Sequence, residues 1–147
     1  MRTLLVALLL SFSLPTLALD PSPRLNPADV VKFQLDSLRQ NNAANDDGIA
    51  STFKFASPAN RSVTGPLSRF SQLFDHPRYA PMINHQRADI ELVSDNGRVA
   101  VFDVELVDGN GSIHHYRFEL SLQQSGACID CWMTDAVMWA PRPGRSA

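Results

Sequence analysis

From Ala88 to Leu122 the chain alternates apolar and polar residues with a period of two. Ala88, Ile90 and Leu92 interleave with Asp89 and Glu91; Ala100, Phe102, Val104 and Leu106 with Asp103 and Glu105; Tyr116, Phe118, Leu120 and Leu122 with Arg117, Glu119 and Ser121. Successive side chains of a strand point to opposite faces, so this pattern predicts three strands of an antiparallel sheet with one buried side. Asp95-Asn96-Gly97 and Gly109-Asn110-Gly111 separate the strands as three-residue hairpin loops, each ending in a glycine that takes left-handed backbone without steric cost. The loops also set a register. Pairing Ser94 with Arg98 places Leu92 opposite Ala100, Ile90 opposite Phe102, Asp89 opposite Asp103 and Arg87 opposite Glu105. Pairing Asp108 with Ser112 places Leu106 opposite His114, Val104 opposite Tyr116 and Phe102 opposite Phe118. Both loops send the same residues to the same face, which matters because a slip of one residue would invert the sheet. A fourth strand, Trp132 to Trp139, is apolar on both faces apart from Thr134 and Asp135 and is expected to be central or covered; the face taken by Asp135 is left open.

Upstream of Ala88 the period is helical. Asn26-Pro27 is a start signal, with Asn as cap and Pro at the first helical position, where its missing N–H costs nothing. Val31, Leu35 and Leu38 follow at helical spacing, widened by Val30, until Asn41-Asn42. A second helix starts at Asp46-Asp47, carries Ile49 and Phe53 on one face, and ends near Ala56 ahead of Pro58. Thr64-Gly65-Pro66 opens a third, with Leu67, Phe70, Leu73 and Phe74 as its apolar face and His76-Pro77 as its end; Tyr79 to Ile83 adds a turn. Helices followed by strands predict an α+β domain, its N-terminal helices packed on a curved four-stranded antiparallel meander.

The first residues combine one positive charge with an apolar run from Leu4 to Leu14, too short to span a bilayer. Residues 1–18 therefore read as a signal peptide cleaved after Ala18, residues 19–140 as a single domain and 141–147 as a flexible tail. An exported chain, periplasmic or extracellular, follows from that reading. The formal net charge of −2, with 13 basic and 15 acidic side chains, gives no basic surface for nucleic acid. The two cysteines lie in Cys128-Ile129-Asp130-Cys131, a spacing that suits a small disulfide ring in an oxidising compartment, a redox-active pair or half of a metal site. No helix start precedes Cys128 to activate a thiolate, and His114-His115 supplies the other cluster of metal-ligating type.

Phe55-Ala56-Ser57-Pro58-Ala59-Asn60-Arg61, Thr64-Gly65-Pro66, Arg69-Phe70, Tyr79 and Cys131-Trp132-Met133-Thr134-Asp135 with Val137 together resemble a bacterial and plant family catalogued as domain of unknown function 4864. That resemblance implies a small exported or organellar domain and carries no activity, substrate or catalytic residue. The predicted architecture is itself similar to the conical fold of nuclear transport factor 2 and ketosteroid isomerase, with a cystatin-like sheet as the alternative.

If helices cover the apolar face, Phe102, Val104, Leu106, Tyr116, Phe118 and Leu120 wall any cavity, and His114 is the polar residue the register adds. Tyr116 needs a partner for its hydroxyl, either His114 or Asp135, and in a catalytic reading Asp135 or His114 is the base and Tyr116 the donor. The segment from Ser57 to Arg61 reads as turn and cap chemistry; alternatively Asn60, Arg61 and Tyr79 stand at a pocket rim, with the Arg61 fork turned to a carboxylate or phosphate. No cofactor motif is present. The sequence points first to a non-catalytic accessory of the cell envelope binding a small apolar ligand or an envelope protein. A small isomerase-, dehydratase- or hydrolase-like enzyme and a redox or metal role for the cysteines are the alternatives, and an oligomer is left open.

Overall fold

A computed structural model describes residues 18–140. The expected leader, apart from Ala18, and the expected tail 141–147 lie outside the described residues. Four helices come first: α1 (Pro27–Arg39), α2 (Asp47–Lys54), α3 (Pro58–Thr64) and α4 (Leu67–Ser71). Two single 3₁₀ turns, Gln72–Asp75 and Ala80–Met82, lead into β1 (Arg87–Asp95), β2 (Val99–Val107), β3 (Ile113–Leu122) and β4 (Trp132–Ala140). The strands form one open antiparallel sheet in the order β1-β2-β3-β4, an α+β architecture.

Helix α1 starts as a full capping box: the Asn26 side chain accepts from Asp29 N while Asp29 accepts from Asn26 N. The start of α2 departs from expectation, because Asp46 is left-handed and makes no cap bond. Asn41 does that work from the end of α1, its Oδ1 accepting from Ile49 N at 3.1 Å. Segment 58–64, read from sequence as a turn, is helix α3. Ser57 Oγ accepts from Asn60 N, and Pro58 takes the first helical position, the same Ser/Asn-then-Pro signature that starts α1.

The β2–β3 hairpin keeps the expected register, with Leu106 opposite His114, Val104 opposite Tyr116 and Phe102 opposite Phe118. The β1–β2 hairpin does not. A bulge at Val93 and a longer loop shift the body of β1 by two residues, so Leu92 faces Phe102 and Ile90 faces Val104. Asp89 consequently lies opposite Glu105 rather than Asp103, and Arg87 reaches Glu105 only on the diagonal, at 4.0 Å. The core face survives because a shift of two preserves side-chain parity.

Strand β4 is an edge, not the central strand that its apolar sequence suggested. It is covered at one point: Thr134 N donates to Phe55 O, and Ser57 N donates to Thr134 O, which closes a parallel bridge at Ala56. The core lies between the helices and the sheet, where Val30, Val31, Leu35 and Leu38 of α1 meet Phe102, Val104, Leu106, Phe118 and Leu120, all buried. Phe33 against Phe55, and Phe53 against Phe70, with ring centroids 5.0 Å apart in each pair, extend it beneath α2 and α4.

Candidate functional site

The geometry of β4 turns on one residue. Glu119 pairs with Ala136 and Leu120 with Thr134, which leaves Asp135 as the extra residue of a bulge. Before the bulge, Trp132 and Thr134 pair with the core-facing residues of β3; after it, Val137 and Trp139 do so. The bulge thus reverses parity within one strand, and it is why β4 is apolar on both faces.

At this bulge the helical layer stands away from the sheet, leaving a cavity of about 410 Å³. Phe118 and Val137 from the sheet, Leu38 from α1, Met82 from the second 3₁₀ turn, and Phe70 and Phe74 from the α4 region give it a mainly apolar wall. Val63 of α3, 75% exposed, stands at its mouth.

A chain of polar side chains crosses the wall. Thr134 Oγ1 donates to Gln34 Oε1 at 2.6 Å, and Gln34 Nε2 donates to Thr52 O at 3.1 Å. Thr52 Oγ1 donates to Gly48 O, and Asn60 Nδ2 donates to Thr134 O at 3.1 Å. Thr64 Oγ1 shares its proton between Asn60 O and Oδ1. Tyr79 OH donates to Val137 O at 3.0 Å, pinning the loop after the first 3₁₀ turn to β4. Every hydroxyl proton on the wall is therefore already given to the protein. Asp135 is half-buried there, and among the described residues no side chain pairs with it.

Of the residues singled out from sequence, Asp135, Asn60, Tyr79 and Phe118 line this cavity together. The others lie elsewhere. Phe102, Val104, Leu106 and Leu120 are packed solid against α1, so the wall expected over β2 is core and not cavity. Tyr116 is 1% exposed, and its hydroxyl donates to Arg78 O at 2.6 Å rather than to His114 or Asp135, because the loop after the first 3₁₀ turn reaches it first. Burial raises its pKa well above the usual phenol value, and the neighbouring Tyr79 and Asp108 add to the rise. His114 sits at the end of the sheet, its Nε2 2.8 Å from Asp108 Oδ2, a contact that draws the Asp108 pKa down.

Arg61 does not line the cavity. Its guanidinium donates to Ala56 O, Phe53 O and Lys54 O and lies 4.5 Å from the centre of the Phe53 ring, so it caps the C-terminal end of α2. Cys128 and Cys131 stand at disulfide distance, Cα atoms 5.5 Å apart, in the β3–β4 connection. No cluster of three or more metal-ligating side chains occurs among the described residues.

Reasoning from sequence missed Gln34, Thr52 and Thr64. For Gln34 there was a signal: it occupies the same stripe of α1 as Val30, Val31, Leu35 and Leu38, where a polar residue demands a buried partner. A larger trough of about 620 Å³ lies on the opposite, solvent-facing side of the sheet. There the Arg117 guanidinium forks onto Asp103 at 2.7 and 2.9 Å and holds its pKa below the usual carboxylate value. Those groups are half exposed and satisfy one another, as a solvated outer face does.

The described residues thus define a small α+β domain with an open meander sheet, helices on one face and a cavity beside the bulged edge strand. The chain belongs to the family described as domain of unknown function 4864, whose model matches residues 25–147. No curated protein and no solved structure matches it. Among the described residues no helix is long and apolar enough to cross a membrane.

Proposed function

We propose that this protein is a non-catalytic binding domain, exported to the cell envelope, that takes a small and largely apolar ligand in the cavity beside β4. The observation that carries this reading is the cavity wall: apolar over most of its area, with its hydroxyl protons already given to protein oxygens. Such a wall is pre-formed and rigid, the usual character of small-molecule sites, and it offers few convergent groups for chemistry. Export is supported by the apolar leader pattern of the first 18 residues and by the disulfide-distance pair Cys128 and Cys131.

A saturable rise in fluorescence of an uncharged probe, N-phenylnaphthylamine, tests the site. Val63→Trp places an indole across the mouth from an exposed position, so it should weaken the probe at least tenfold while leaving the fold intact by circular dichroism. Unchanged probe affinity in that variant would remove the cavity as the site. A small enzyme of the isomerase, dehydratase or hydrolase kind draws support from one observation, the Asp135 carboxylate and Tyr79 hydroxyl on the same wall.

A further inference from the structure

We infer that the cavity selects an alkylammonium ligand, a cationic amine head on an apolar body, with Asp135 as the anchor for the head. This rests on the cavity being a ligand site, as proposed above, and specifies its chemistry.

Three features of the wall point the same way. Asp135 is its one carboxylate, and no Lys, Arg or His lines the cavity to answer an anionic ligand. Arg61, the cation expected at the rim, does not line the cavity and directs its Nε and Nη2 to the carbonyls of Ala56, Phe53 and Lys54. A carboxylate or phosphate entering here would meet like charge in partly dehydrated surroundings, which is costly.

The hydrogen-bond inventory leans the same way, the side-chain donors left over being one N–H each on the Gln34 and Asn60 amides. The hydroxyl protons of Thr52, Thr64, Thr134 and Tyr79 are all donated to protein oxygens, so these groups can only accept from a ligand. An ammonium is a donor with no acceptor capacity, the complement of that set. Finally, Phe70, Phe74 and Tyr79 line the same space, and aromatic rings attract cations. The bulge makes this arrangement, because it places a charged residue into a wall that a regular β4 would have kept uncharged.

Calorimetric titration of the unaltered chain at pH 7 with n-octylamine, n-octanol and sodium octanoate, equal in chain length and different in head, tests the inference. Octylamine should bind at least tenfold more tightly than octanol, and octanoate most weakly. Asp135→Asn should lower octylamine affinity roughly ten- to a hundredfold, the worth of a hydrogen bond to a charged group, and leave octanol unchanged. If octanol binds but octylamine binds no better, or if Asp135→Asn leaves octylamine untouched, the amine assignment fails and the apolar cavity stands. Should none of the three bind, the ligand site itself falls. The ranking on the unaltered chain decides the matter even if the variant fails to fold.

Discussion

Gln34 and Thr134 meet at 2.6 Å on the cavity wall, both buried. Removing one partner strands the other, at a cost of about 1–3 kcal/mol, whereas replacing both strands neither, and Thr52 O, which loses Gln34 Nε2, keeps the Phe55 N–H. Gln34→Leu and Thr134→Val should therefore each lower the urea midpoint, and the double variant should lose less than the two losses added. Strict additivity in that double-mutant cycle would contradict a shared bond. His85 carries a second residue-scale consequence. It is 4% exposed, its Nδ1 is 2.8 Å from Met82 O, and its pKa is depressed chiefly by burial, with Arg39 adding to the effect and the Met82 carbonyl and Asp36 opposing it. The unfolded chain takes up a proton near pH 6.5, the native chain only at lower pH. Stability is thus full above about pH 6.5 and is lost as pH falls through the native value. Denaturation followed between pH 7 and 5 should show that decline, reduced in His85→Asn, which keeps a donor for Met82 O but does not titrate. Sequence gave no hint of His85, because burial of a single histidine in a loop has no periodic signature.

At the scale of elements, alternation fixed which residues face the core and left the register of β1 uncertain by two. A period of two cannot distinguish shifts of an even number of residues, and the bulge at Val93 exploits that blind spot. The same limit hid the bulge at Asp135, where both faces of β4 read as apolar and no parity could be assigned. Helix α3 was legible in principle from Ser57-Pro58, but its seven residues carry too short an apolar pattern to outweigh its turn-forming composition. The close crossing of α1 and α2 gives a prediction. A Cβ on Gly48 would run into the Ser37 carbonyl oxygen and the Asn41 backbone, neither of which can swing aside. Gly48→Ala should destabilise by more than the ~1 kcal/mol that alanine ordinarily gains over glycine inside a helix, reversing the usual sign. Thermal melts of this variant beside Ser51→Ala, on the same helix, would show whether the crossing is as tight as it stands here.

For the whole molecule, the layer arrangement was legible because it follows from the order of helices and strands, whereas the cavity was not. Its shape depends on how α3, α4 and the 3₁₀ turns stand off from β4, and contacts between distant elements leave no trace in local pattern. The cysteine pair closes a small ring confined to the β3–β4 connection. A ring this small restricts the unfolded chain only slightly, about 2 kcal/mol by chain entropy, so Cys128→Ser with Cys131→Ser should lower stability by no more than that and leave the probe site intact.

The two rims of the sheet are unequal. At β4 the Phe55–Ser57 segment occupies the Thr134 position and Tyr79 holds the Val137 carbonyl, while β1 runs along the other side with Asp89, Glu91 and Asp95 exposed. A sheet with two receptive rims can polymerise without limit; one with a single receptive rim can only pair. The β1 rim carries three carboxylates, Asp89, Glu91 and Asp95, against one basic side chain, Arg87, which already pairs with Asp89 at 3.2 Å. Neutralising them in Asp89→Asn with Glu91→Gln should let copies associate along β1, read as a rise in sedimenting mass, and a variant that stays monomeric would show that these charges are not what keeps the rim free.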